Sequence, residues 1–175
     1  MSKKILIFIL ILFFALFQIG FIDQFFTGAT LLNGILIFTI FLCYRNEKSY
    51  PVMYLLITGL LLDFFSLYFF GLYTLSLLIT AGMIFYVQKQ YINQKTYFSL
   101  IIVGIASTVF YSLLIFLGSN LAYLLDISDF RWTLQMPVLS DLAFQVIINT
   151  AALVVLLYGT RWYYRQFKPQ SYIKL

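Results

Sequence analysis

Residues 59–72 read GLLLDFFSLYFFGL, from Gly59 to Leu72. One acid, Asp63, stands inside an apolar interval that runs from Pro51 to Gln88, 38 residues with no other charged side chain. As a single helix that interval would rise about 57 Å at ~1.5 Å per residue, nearly twice the ~30 Å hydrocarbon core of a bilayer. It therefore reads as two crossings joined by a tight turn near Ser66 to Gly71. Glycine permits backbone angles that other residues avoid, and serine bonds a freed backbone group.

The rest of the chain has the same character. Its 175 residues are 63% hydrophobic, 21% aromatic and only 10% charged, against roughly 25% charge in an average soluble domain. So few charged groups cannot cover so much Phe, Leu and Ile in water, so the sequence predicts an integral membrane protein. Charges fall in clusters, and the apolar intervals between them predict an all-α bundle of six transmembrane helices. The expected spans are approximately 5–22, 29–44, 51–66, 71–88, 97–125 and 137–160, in one transmembrane domain over residues 1–175. No loop exceeds about a dozen residues, which leaves no room for a soluble domain.

The N-terminal MSKK followed by ILIFILILFFALFQIGFI has the outline of a signal peptide. Its apolar body of 18 residues rises about 27 Å, longer than the ~7–15 residues of a cleavable core, so it is expected to remain as the first span.

Orientation follows from counting. With the N-terminus inside, the inner segments carry Lys3, Lys4, Arg45, Lys48, Lys89, Lys95, Arg161, Arg165, Lys168 and Lys174, and the outer ones carry only Arg131. That asymmetry places both termini in the cytoplasm of a cell whose inner membrane this chain would cross several times. The net charge of +5 then serves the anionic lipid of the inner leaflet. It is spread over short loops and tails, which argues against nucleic acid as a partner. The tail RWYYRQFKPQSYIKL mixes aromatic and basic residues as an interfacial segment does. With no histidine and a lone Cys43, no pattern calls for a metal, a disulfide or another cofactor.

Polar groups inside spans carry whatever chemistry remains. A charge at the centre of a spanning helix costs about 2.5–3.5 kcal/mol on insertion scales, so Asp63 is expected to face inward and to have a role. In the last turn of its helix a carboxylate opposes the helix dipole, which calls for protonation or a bonding partner. In the last span Asp141, Gln145 and Asn149 recur every four residues and share one face, with Pro137 opening the helix and Asp141 expected in its first turn. In the fifth span Gly104, Thr108 and Ser112 form a ladder of small residues. Such ladders allow close helix packing, inside the protein or against a partner. Gln18, Asn33 and Asn120 read as interhelical or interfacial hydrogen-bonding groups.

Asp63 and Asp141 as an aspartyl dyad would imply intramembrane proteolysis. Neither acid has the glycine frame of such enzymes, so no catalytic residue is expected. Six compact spans also match the substrate-binding subunits of energy-coupling-factor vitamin transporters, the alternative class, although the first span here has only Ala15 and Gly20 as small residues.

The run from Gly59 through Asp63 and Ser66 to Gly71 resembles the signature of the rod shape-determining membrane protein MreD family. That signature is a glycine, an apolar stretch, an aspartate, a serine and a glycine opening the next span. Pro137 at the start of the last helix fits the same pattern. The family often has a proline between the serine and the glycine, where this chain has Leu67 to Phe70. The resemblance implies a non-catalytic membrane scaffold of the bacterial elongation machinery, with a fold similar to the vitamin-binding subunits. Its partners would be MreC foremost, and through it MreB, RodA and a class B penicillin-binding protein. Gly59, Asp63, Ser66 and Gly71 would form its structural or partner-binding motif.

Overall fold

A computed structural model describes residues 33–45, 52–66, 69–91, 97–127 and 136–167. Among them five helices follow one another: α1 (Gly34–Arg45), α2 (Val52–Phe65), α3 (Leu72–Tyr91), α4 (Tyr97–Leu124) and α5 (Met136–Phe167). The expected first span, 5–22, and the beginning of the second lie outside the described residues, as does Gln18. The sixfold count therefore finds no support among the described residues.

Three of the five helices are long and apolar enough to cross a membrane, over Leu72–Gln90, Phe98–Leu124 and Leu139–Thr160. α1 and α2, with 12 and 14 residues, rise only about 18 and 21 Å at ~1.5 Å each, short of the ~30 Å hydrocarbon core. α2 ends at Phe65, as expected, where the Ser66 hydroxyl and amide both donate to the Asp63 carbonyl, at 3.1 and 3.4 Å. α5 runs longer than expected. Its 32 residues continue to Phe167, so part of the segment expected to leave the last helix as an interfacial tail belongs to the helix.

α3 packs against α2, α4 and α1, and α4 packs against α5. α1 touches α3, α4 and α5, and Leu36, Ile40 and Cys43 on it are almost fully buried. The interior mixes such residues with Thr39, Thr58, Thr80, Ser107 and Thr108, whose small side chains allow close helix contact. The exterior is apolar, with Leu56, Leu60, Ile79, Ile102, Leu113, Ile147 and Val155 exposed along the helices. Water would not tolerate that surface, but acyl chains match it. Among the described residues the fold is all-helical, with three helices long and apolar enough to cross a membrane.

Candidate functional site

The site is the α2–α3 hairpin. Gly71 adopts φ 100°, in the left-handed region where glycine alone is unstrained. Nothing lies within 4 Å of where its Cβ would be, so the glycine is required by backbone conformation and not by space. Its carbonyl accepts the first intrahelical bond of α3, from the Leu75 amide at 2.9 Å, which makes Gly71 the N-cap. A glycine cap has no side chain to satisfy the free amides of the first turn.

Asp63 supplies the missing cap from the neighbouring helix. Its Oδ1 accepts the Tyr73 amide at 2.8 Å and its Oδ2 accepts the Thr74 amide at 3.1 Å. The Thr74 hydroxyl also donates to Oδ2. The Leu72 amide closes on the Phe69 carbonyl at 3.3 Å, so every amide from Leu72 to Leu75 has an acceptor. The unfavourable dipole at the end of α2 is countered by the positive end of α3, toward which the carboxylate points. Asp63 is only 3% exposed. Its oxygens face α3, so the side chain is not displayed to a partner.

Gly59 completes the arrangement one turn earlier on the same face of α2. A Cβ there would fall 2.6 Å from Thr74 Cα and 2.8 Å from Thr74 Oγ1. The glycine thus lets α2 close on the residue that Asp63 holds. On the far side of the same helix start, a Cβ on Gly118 would fall 2.5 Å from Leu72 Cδ1. Gly59, Asp63, Ser66 and Gly71, singled out in the sequence, come together as one unit. Thr74 and Gly118 belong to it and were not foreseen. Thr74 carried one local signal, its place three residues after a glycine that opens a helix. Replacing Gly71 with alanine is expected to destabilise the protein by about 1 kcal/mol or more, measured by unfolding in mild detergent, since alanine must adopt a positive φ.

The polar stripe of α5 divides. The Gln145 Oε1 accepts the Ser112 hydroxyl at 3.1 Å, joining α5 to α4. The Asn149 Oδ1 accepts the Asn33 amide at 3.0 Å. Asn33 is itself the N-cap of α1, with its Oδ1 accepting the Leu36 amide at 3.0 Å and its carbonyl accepting the Ile37 amide at 3.0 Å. Asn149 therefore fixes the start of the most central helix. Asp141, expected in the first turn, lies in the second, because α5 begins at Met136 and its first turn holds no acid.

The small-residue ladder turns inward. A Cβ on Gly104 would meet Leu153 Cδ2 at 3.1 Å, Thr108 is fully buried and back-bonds to the Gly104 carbonyl at 2.9 Å, and Ser112 reaches Gln145. Gly104 and Ser112 therefore serve packing of α4 on α5 within the chain. Asn120, read as an interhelical or interfacial group, donates through Nδ2 to the Phe116 carbonyl of its own helix at 3.0 Å. A double-mutant cycle on Ser112→Ala and Gln145→Ala, read by unfolding in detergent, is expected to give a coupling of about 0.6 kcal/mol, typical of interhelical bonds in membranes.

Both Asp63 oxygens are engaged by α3, whereas Asp141 stands on a helix packed against α4 and α1. Two clefts between helices are small and apolar, about 20 Å³ between α1 and α2 beside Phe38 and Tyr54, and about 40 Å³ between α3 and α4 beside Met83 and Ile102.

No family model, curated protein or solved structure matches the chain. The expected likeness in fold to the substrate-binding subunits of energy-coupling-factor transporters is accordingly without support.

Proposed function

We propose that this chain is a multi-pass inner-membrane scaffold of the MreD type, with both termini cytoplasmic. It binds MreC and helps organise lateral cell-wall synthesis with MreB, RodA and a class B penicillin-binding protein. One observation carries the reading: the residues on which the resemblance rests, Gly59, Asp63, Ser66 and Gly71, act together as a single helical clasp. A motif of scattered polar and small residues in a membrane chain is intelligible when each member contributes to one local shape.

In this role the clasp works indirectly. It fixes the angle and spacing of α2 and α3, and their apolar outer faces, with Met53, Leu56, Leu60, Leu75 and Ile79 exposed, offer the surface a partner's transmembrane helix would meet. The scaffold performs no covalent chemistry, and its specificity lies in the shape of that surface.

Purification of the tagged chain in mild detergent is expected to recover MreC. Recovery of an energy-coupling ATPase module in its place would overturn the proposal in favour of vitamin transport. Asp63→Asn keeps the size of the side chain and weakens its acceptance of backbone amides. It is expected to reduce MreC recovery and to disturb rod shape, and unchanged recovery and shape would remove Asp63 from the function.

A further inference from the structure

We infer that the end of α2 and the start of α3 lie within the hydrocarbon layer and are covered by lipid acyl chains, not by water. This rests on the multi-pass reading of the chain and adds to it a position for the turn.

The hydrogen bonding at the two helix ends points there first. A helix start at a water interface can leave its amides to solvent, but in hydrocarbon each must find a partner within the protein. Here the Leu72, Tyr73 and Thr74 amides all have protein acceptors, two of them from a buried carboxylate, and Ser66 closes the end of α2. The outward side chains agree. Phe64 is 78% exposed, and Phe65 and Phe70 are also exposed. No charged residue other than the inward-facing Asp63 occurs between Pro51 and Gln88.

The neighbouring helix supplies the level. Gly118 of α4 sits against Leu72, and α4 continues six residues to Leu124, about 9 Å further at ~1.5 Å per residue. Along that extension Leu121 and Leu124 are exposed and apolar and Tyr123 is exposed beside them, and the first charge is Asp126, itself exposed. α3 thus begins below a stretch of α4 that still presents leucine outward. The described side chains exposed where α2 ends and α3 begins, Phe64, Phe65 and Phe70, are all apolar, which suits acyl chains.

Single-cysteine variants in a Cys43→Ala background test this in phosphatidylethanolamine and phosphatidylglycerol vesicles. Phe64→Cys, Phe70→Cys, Leu113→Cys and Ile127→Cys are each spin-labelled, and collision with oxygen and with a water-soluble nickel chelate is measured. All four positions are exposed, so the labels replace no core packing, and Phe64 and Phe70 report on the turn independently. The ratio of oxygen to chelate collision at Phe64 and Phe70 is expected to match that at Leu113, mid-helix, and to exceed that at Ile127 on the order of tenfold, since hydrocarbon excludes the polar chelate. Chelate access at the turn equal to that at Ile127 would place it in water. Low collision with both reagents would place it under protein. Either result overturns the inference, and chelate access at Leu113 as well would instead overturn the membrane-spanning reading beneath it.

Discussion

Asp63→Ala is expected to be among the most destabilising single substitutions in this chain. It leaves the Tyr73 amide, the Thr74 amide and the Thr74 hydroxyl without their acceptor. Each buried donor left unmade costs about 1–3 kcal/mol, so a loss of about 3 kcal/mol or more is expected. Denaturant or thermal unfolding in mild detergent reads it directly. Asp63→Asn retains one acceptor oxygen but turns an amide donor toward a site that already holds three donors, so it should fall between alanine and wild type. Thr74→Val removes only the hydroxyl and should cost about 1 kcal/mol, with strong non-additivity against Asp63→Ala because the two share one bond.

Gly59→Leu is the second large effect. The atom nearest to a new Cβ is Thr74 Cα, at 2.6 Å, and backbone cannot rotate away as a side chain can. Relief requires α2 to separate from α3, which also withdraws Asp63 from the amides that it caps. Overpacking typically costs about 1–3 kcal/mol, and the loss of the cap adds to it. Gly59→Leu combined with Asp63→Ala is therefore expected to cost less than the sum of the two, because the first already disrupts what the second removes. Simple additivity in the same unfolding measurement would mean that glycine and aspartate act separately.

The position of α4 was legible because it is bounded by charges, Lys95 on one side and Asp126 on the other, and Lys89 likewise marks the end of α3. The hairpin turn was legible for a similar reason, since an apolar interval too long for one crossing must reverse, and Ser66 and Gly71 mark where. What Asp63 binds was not legible. Its donors are ten and eleven residues away, and the match depends on how α3 folds back. Asn33 and Asn149 are 116 residues apart, so no local pattern links them. Asn33 read as a lone polar residue, although asparagine is among the residues preferred at a helix N-cap. The inward turn of Gly104 and Ser112 was open in the sequence because a ladder of small residues looks alike from either side. The continuation of α5 to Phe167 was masked by basic and aromatic residues that suit an interface and a helix equally.

The account turns on whether Asp63 caps α3 from a neighbouring helix. Hydrogen–deuterium exchange of the Tyr73 and Thr74 amides, compared between wild type and Asp63→Asn in the same detergent, tests this most directly. Both amides should be protected in wild type and should lose protection in the variant, while amides in the middle of α3, such as Gly82, exchange as before. Equal protection in the two proteins, or free exchange of both amides in wild type, would contradict it.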